Sequence, residues 1–104
     1  MINILVLGGS SRLAKEIKKI KINEAIKIFY SSKKSQKNYF YLNLNNINYN
    51  KLKKFILIKK IDRVLFCAGI TNYYECRKNY NEAFKINCIE TPKLINFFLS
   101  LKIY

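Results

Sequence analysis

The sequence predicts an α/β domain built on a doubly wound parallel sheet of about four strands, in the order 3-2-1-4. Segments with strand patterns alternate with segments of helical periodicity, as in proteins with parallel sheets. The first and fourth strand segments are apolar along nearly their whole length, which is typical of strands covered on both faces. The chain has 104 residues, enough for one domain and too few for two.

The chain opens with an apolar run, Ile2–Leu7, that we expect to be a buried strand. The small residues 8–11 follow and interrupt regular structure. From Arg12 onward, apolar residues recur at helical spacing, which predicts a helix with one apolar face formed by Leu13, Ile17 and Ile20.

The middle of the chain continues the alternation. A second strand is predicted at residues 25–30, a third at residues 39–44 and a fourth at residues 63–67. Residues 49–60 have helical spacing and follow a group of asparagines that favour turns and helix caps. The carboxyl ends of the first and fourth strands would border the point where the strand order reverses, and ligands bind there in such sheets.

A polar loop at residues 71–78 is predicted to lead into a long helix at residues 80–101. Asn79 and Glu82 have the spacing of a capping pair at the start of that helix. Pro92 lies inside it and cannot donate a backbone hydrogen bond, so we expect a bend or break just before it.

The chain carries 20 lysines and arginines against six acidic residues, a formal charge of +14. A basic nucleic-acid-binding module is therefore an alternative, since lysines neutralise phosphates and tyrosines stack on bases. We disfavour it because the lysines are spread along the chain and no nucleic-acid-binding motif is present.

No apolar run approaches the ~18–20 residues of a membrane helix, and no secretory signal is visible, which predicts a cytoplasmic protein without a membrane partner. The sequence has no histidine, and its three cysteines fit no zinc pattern.

The small residues after the first strand could bring backbone N–H groups close to a phosphate at the start of the following helix. A dinucleotide fingerprint with three glycines would place them at positions 8, 11 and 14, where this chain has Gly8, Ser11 and Ala14. Ala14 is an accepted variant where the helix packs on the strand. Ser11 would narrow the approach to a pyrophosphate, or donate its hydroxyl to it. An ordinary turn of small residues is the alternative interpretation.

The end of the second strand bears on which dinucleotide would bind. A site for NAD has an acidic residue there for the ribose hydroxyls, whereas this chain has Ser31, Ser32, Lys33 and Lys34. Hydroxyls and cations suit a 2′-phosphate, so we favour NADP over NAD. The alternative is that both lysines are solvated surface residues of a lysine-rich chain.

Two motifs carry a resemblance to a known family. Cys67-Ala68-Gly69-x-Thr71 stands at the end of the fourth strand, and Phe84-Lys85-Ile86-Asn87 follows in the long helix. In this order they resemble the extended short-chain dehydrogenase/reductases of the NAD-dependent epimerase/dehydratase superfamily, most closely the dTDP-4-dehydrorhamnose reductase type. The resemblance extends over the whole chain. It implies a Rossmann-like, NAD(P)-binding domain at residues 1–104 and a part in nucleotide-sugar metabolism for surface polysaccharide.

The resemblance also implies which residues would contact the cofactor. The residues of the glycine-containing turn would surround the pyrophosphate: Gly8, Gly9, Ser10, Ser11, Arg12 and Leu13. Those at or just after the ends of the second and third strands would contact the adenosine: Ser31, Ser32, Lys33, Asn43 and Leu44. Asn43 stands where the family usually has an aspartate. The residues expected toward the nicotinamide and the active site are Cys67, Ala68, Gly69, Thr71 and Asn87.

The chemistry of the family needs a serine or threonine and a Tyr-x-x-x-Lys pair that follow a fifth strand. The sequence stops at Tyr104, about where that strand should begin, and its three Tyr-x-x-x-Lys matches lie elsewhere, at Tyr30, Tyr49 and Tyr74. We therefore interpret the chain as the NAD(P)-binding portion of a sugar-nucleotide reductase or epimerase, truncated before the catalytic half and inactive alone. Whether it is an enzyme stays open at this point.

Two alternatives concern partners. The chain could be a subunit completed by a separate C-terminal chain or by a second copy of itself, or it could be a non-functional remnant. In either case the fourth strand would lack a neighbour and leave an open, apolar sheet edge.

Overall fold

The computed structural model of the protein describes residues 1–20, 23–68 and 73–104. The sheet has four parallel strands in the order β3-β2-β1-β4, which confirms the predicted fold class and order. The strands are β1 (Ile2–Leu7), β2 (Ile26–Ser32), β3 (Phe40–Tyr41) and β4 (Arg63–Phe66). The central strand β1 places Ile4 opposite Ile28 of β2 and opposite Arg63 of β4.

The third strand is shorter than the sequence predicts, because it pairs with β2 only at Phe40 and Tyr41. The N–H of Leu42 still donates to the carbonyl of Ser32 at 2.9 Å. One residue later the side chain of Asn43 accepts from the N–H of Asn45 at 3.0 Å. This local turn competes with the ladder and ends the strand three residues early.

Five α-helices are described: α1 (Arg12–Lys18), α2 (Tyr49–Lys59), α3 (Tyr73–Lys78), α4 (Tyr80–Phe84) and α5 (Thr91–Ser100). The chain reaches α1 and α2 through Ser11 and Asn48, whose side-chain oxygens accept from the N–H groups of Ala14 and Lys51. Because α3 is helical, the loop predicted at residues 71–78 is wrong for residues 73–78; Thr71 and Asn72 lie outside the described residues.

The expected break before Pro92 takes the form of a π-helical segment, Lys85–Glu90, between α4 and α5. Pro92 lies in the first turn of α5 and supplies no N–H, while the hydroxyl of Thr91 donates to the carbonyl of Ile86 at 2.8 Å. The backbone N–H of Thr91 donates to the same carbonyl, five residues back, so the hydroxyl adds a second bond where the backbone has widened.

The capping pair expected from Asn79 and Glu82 is wrong. Asn79 precedes α4, but its side chain makes no capping hydrogen bond. Glu82 Oε1 instead accepts from Asn45 Nδ2, at 3.0 Å, on the segment after β3. Glu82 thus bonds a residue distant in sequence instead of the start of its own helix, and sequence spacing alone cannot reveal such a partner.

The main core lies on the face of the sheet covered by α2 and α5. Leu5 and Leu7 of β1 pack with the buried residues Leu52, Ile56, Leu94 and Phe98. Val6 points to the opposite face, since side chains alternate along a strand. Right-handed crossovers place α1 on that face, because β1 to β2 and β3 to β4 run in opposite directions across the sheet.

The predicted apolar face of α1 is wrong in detail. Ala14 is fully buried, whereas Leu13 and Ile20 are 56% and 63% exposed. A methyl side chain lets the helix approach the sheet closely, so the helix is rotated to bury Ala14 rather than the larger neighbours.

The edge of β4 away from β1 exposes an apolar side chain and is contacted by the end of the chain. Leu65 is 40% exposed, and the N–H of Val64 donates to the carbonyl of Tyr104 at 2.9 Å. Tyr104 therefore lies along β4 on the side opposite to β1, where a neighbouring strand would pair. In the part of the chain that the structure describes, no helix has the length and apolar character needed to cross a membrane.

Candidate functional site

A cavity of about 520 Å³ opens at the carboxyl ends of β1 and β4, the position predicted from the strand order. Its sides are formed by the turn after β1, by the ends of β2 and β4, by the segment after β3, and by α4 with the residues next to it. The described residues that line it are Gly8, Ser10, Ser11, Ser31, Lys33, Leu42, Asn43, Leu44, Asn45, Cys67, Ala68, Asn79, Glu82 and Ile86.

Gly8 fixes the geometry of the turn. Its φ angle is +86°, a conformation that disfavours any residue with a Cβ. A Cβ there would also lie 2.8 Å from the backbone N and Cα of Ala68. Gly8 therefore lets the turn after β1 lie directly against the end of β4, and it donates its N–H to Ser31 Oγ at 3.0 Å.

Gly9 continues the turn under similar steric limits. A Cβ on Gly9 would lie 2.7 Å from the carbonyl of Ser31 and 2.7 Å from the ring of Tyr39. Its N–H donates to the same Ser31 carbonyl at 2.7 Å. The turn is thus fixed against β2 on one side and against β4 on the other.

Lys18 supports this turn from α1, although the sequence analysis did not identify it. Its ammonium donates to the carbonyl of Gly9 at 2.9 Å and to the hydroxyl of Tyr39. It also lies 4.6 Å from the ring centroids of both Tyr30 and Tyr39, which are cation–π contacts. Burial raises the pKa of Tyr30, an effect that the charge of Lys18 partly offsets. No sequence signal links these three residues, because only the fold brings them together.

Ser11 and Cys67 meet where α1 begins. Ser11 Oγ accepts from the N–H of Ala14 at 3.1 Å and so caps the helix. Burial raises the pKa of the Cys67 thiol, and a hydrogen bond with the Ser11 side chain lowers it in part. The Ser11 hydroxyl, expected from the sequence to lie at a pyrophosphate, therefore already has hydrogen-bond partners within the protein.

The residues that end and follow β2 divide into two groups. Ser31 and Ser32 are buried, and their hydroxyl oxygens accept from the N–H groups of Gly8 and Lys34. Lys33 is exposed and lines the cavity. The positive charge of Lys33 is therefore available at the cavity, whereas both serine oxygens already accept backbone hydrogen bonds.

The far end of the cavity is formed by the segment after β3, by α4 and by the π-helical segment that follows α4. Leu42, Leu44 and Ile86 give it an apolar surface. Glu82 and Asn45 meet across its rim at 3.0 Å. Asn43 and Leu44 were predicted here from the sequence, whereas the contribution of α4 was not.

Several predicted residues are not among the described residues that line the cavity: Gly9, Arg12, Leu13, Ser32 and Asn87. Gly9 and Ser32 support the turn and the end of β2 from behind, while Arg12, Leu13 and Asn87 are exposed. Gly69 and Thr71 lie outside the described residues.

Comparison with solved structures finds the same fold in three sugar-nucleotide enzymes. A hypothetical dTDP-4-dehydrorhamnose reductase from Sulfolobus tokodaii superposes with a TM-score of 0.75 at 20% identity, over 99% of this chain and 37% of that one. A dTDP-4-dehydrorhamnose reductase from Clostridium acetobutylicum has a TM-score of 0.71 at 26% identity, over 95% of this chain and 32% of that one.

The third is a UDP-glucose-4-epimerase from Stenotrophomonas maltophila, solved with bound NAD and formylated UDP-arabinopyranose. It has a TM-score of 0.67 at 15% identity, over 99% of this chain and 35% of that one. The chain therefore spans about a third of the length of each of these proteins. No protein-family model and no curated protein matches the sequence. The fold, the strand order and these likenesses support the predicted resemblance, because the chain shares its architecture with about a third of each dTDP-4-dehydrorhamnose reductase and of the UDP-glucose-4-epimerase.

Proposed function

We propose that the cavity binds an NAD(P) dinucleotide and that the chain is the NAD(P)-binding portion of a protein like the sugar-nucleotide reductases and epimerases. The observation that carries this proposal is Gly8, whose backbone conformation and contact with Ala68 leave no room for a side chain. Close approach of backbone to a ligand is what a glycine at this turn permits in dinucleotide sites. The epimerase neighbour was solved with NAD bound, which supports the same ligand class here.

The residues present fit such a cofactor. Gly8 and Ser10 would lie along its phosphates, Lys33 beside the adenosine ribose, and Cys67 and Ala68 toward its nicotinamide, since all of these line one cavity. When bound, the nicotinamide would supply hydride chemistry. The protein's own contribution in this part of the chain is to hold and orient the dinucleotide through a turn that Lys18, Ser31 and Tyr39 keep in place.

We further propose that NADP is preferred over NAD. Lys33 places a positive charge at the cavity, and the residues that end and follow β2, from Ser31 to Lys34, include no acid to bind a ribose diol. A 2′-phosphate adds negative charge at this position and would interact favourably with the ammonium group.

We expect this chain to bind the dinucleotide without turning over ketosugars. Tyr-x-x-x-Lys matches occur at positions 30, 49 and 74. Tyr30 lies on β2 beside Lys18, and Tyr49 begins α2, so neither stands on a helix after a fifth strand, where the catalytic pair is expected. A cytoplasmic location and completion of the site by a C-terminal chain or by a second copy remain parts of the proposal.

The test is titration of the purified chain with NADPH and with NADH, followed by nicotinamide fluorescence. We expect NADPH to bind more tightly, and Lys33→Met to remove most of the difference. Lys37→Met is a matched control, because Lys37 is exposed and is not among the described lining residues. Absence of binding to both dinucleotides, together with salt-dependent binding to DNA, would favour the nucleic-acid alternative instead. NADPH oxidation with a panel of dTDP- and UDP-ketosugars tests the expected lack of turnover.

A further inference from the structure

The far end of the cavity combines an apolar surface with a single carboxylate. Leu42, Leu44 and Ile86 are 6%, 9% and 7% exposed and line this end. Among the described residues that line the cavity, Glu82 is the one acidic side chain. In a chain with 20 basic and six acidic residues, a carboxylate in a proposed site for an anionic ligand calls for a physical explanation.

Glu82 is held at the rim of the cavity by contacts with the segment after β3. Its Oε1 accepts from Asn45 Nδ2 at 3.0 Å, and Lys85 donates from Nζ to the carbonyl of Asn45 at 2.9 Å. Glu82 of α4 and Lys85, the first residue of the π-helical segment, thus contact the same asparagine. A carboxylate can accept about four hydrogen bonds, so one bond from Asn45 leaves capacity for a ligand donor.

The neighbouring Asn43 is less suited to accept from a ligand. Its Oδ1 already accepts from the N–H of Asn45 at 3.0 Å, and this bond is part of the turn that ends β3. Its amide nitrogen is a donor. A ligand group that donates hydrogen bonds at this end would therefore find its strongest acceptor in Glu82.

We propose that Glu82 selects the purine base of the bound dinucleotide, by accepting a hydrogen bond from the 6-amino group of adenine. Leu42, Leu44 and Ile86 supply the apolar surface for the ring. This inference rests on the proposed function, because it requires the dinucleotide to occupy the cavity. It assigns to α4 a role in specificity that neither the glycine turn nor the end of β2 fulfils.

The direction in which dinucleotide affinity changes when the Glu82 carboxylate is removed distinguishes two roles for it. The phosphates of a dinucleotide are negative, so a carboxylate that acted only through its charge would weaken binding, and its removal would strengthen binding. A carboxylate that accepts from the base has the opposite effect. A hydrogen bond to a charged group contributes enough to change affinity roughly 10- to 100-fold.

The experiment compares NADPH with its analogue in which unsubstituted purine replaces adenine, so that the 6-amino group is missing. Affinities are measured by fluorescence titration for the unmodified chain, for Glu82→Met and for Glu24→Met. Glu24 is an exposed carboxylate before β2, so its replacement changes the net charge equally and serves as the control. The ratio of the two affinities within one protein does not depend on the fraction that is folded.

We expect the unmodified chain and Glu24→Met to bind NADPH at least about tenfold more tightly than the purine analogue. We expect Glu82→Met to lose this preference by weakening NADPH alone. Equal affinities in the unmodified chain, or an unchanged preference in Glu82→Met, would overturn the assignment of Glu82 and leave the dinucleotide site standing. If neither dinucleotide binds, both this inference and the proposed function are wrong.

Discussion

The replacement of Gly8 by alanine is the most demanding test of how the turn and the sheet fit together. The new methyl group would lie 2.8 Å from the N and Cα of Ala68 and 2.9 Å from the carbonyl carbon of Cys67. All three are backbone atoms, so no side chain can rotate away to relieve the contact. The backbone would in addition be held at a φ angle of +86°.

The expected loss of stability has two parts. A residue with a Cβ in a left-handed conformation costs about 1–2 kcal/mol. An overpacked contact that forces the backbone to shift costs about 1–3 kcal/mol more. We therefore expect Gly8→Ala to lower the free energy of unfolding by about 2–5 kcal/mol, a large part of the ~5–15 kcal/mol typical of a domain.

Urea unfolding followed by circular dichroism measures this loss, which corresponds to a shift in the midpoint of roughly 1–2.5 M at a slope of about 2 kcal/mol/M. The control repeats the comparison in a chain that carries Ala68→Gly. Because the clash is with the backbone of residue 68 and not with its methyl group, the cost of Gly8→Ala should persist. A loss below about 1 kcal/mol, or recovery in the Ala68→Gly background, would refute the steric argument.

Three further predictions concern individual side chains. Lys18→Met should lower the free energy of unfolding by about 1–2 kcal/mol in the urea assay, because it removes the hydrogen bond to the Gly9 carbonyl and the cation–π contacts. Replacement of the exposed Lys15 by methionine is the control and should change it by less than about 0.5 kcal/mol. Cys67 should react with iodoacetamide more slowly than the exposed Cys88 at pH 8, because burial raises the pKa of Cys67 and the thiolate fraction falls as the pKa rises; equal rates by mass spectrometry would contradict this. Thr91→Val should cost about 1 kcal/mol of stability by removing the hydrogen bond to the Ile86 carbonyl, whereas Thr91→Ser, which keeps the hydroxyl, should cost less.

The order of the sheet and the position of the cavity were predictable because they depend on local patterns. The apolar run of β1 ends at glycine, and β4 has a similar run, so both strands and the turn could be placed from the sequence. Parallel strands with right-handed crossovers then leave few arrangements. The sequence did not predict the early end of β3, because it depends on the side chain of Asn43 bonding to its own segment.

The contacts that complete the site were not predictable from spacing. Lys18 reaches the Gly9 carbonyl from the far end of α1, and Glu82 reaches Asn45 from another element 37 residues away. The same limitation explains the error on α1, where the buried residue is the small Ala14. Periodicity identifies which residues share a face, but the closeness of packing decides which face is turned inward.

The pairing of β1 with β4 has a consequence for how the protein folds. The backbone N–H of Asn3 donates to the carboxylate of Asp62 at 2.9 Å, and the backbone N–H of Asp62 donates to the carbonyl of Asn3 at 2.8 Å. The two residues are 59 positions apart in the sequence. The loop entropy of that closure must be overcome before the contact between Gly8 and Ala68 can form. A nascent chain that has emerged only as far as α2 contains the glycine turn but lacks the opposite side of the cavity. The proposed dinucleotide, which needs both sides of the cavity, would therefore stabilise only chains in which β4 has paired with β1.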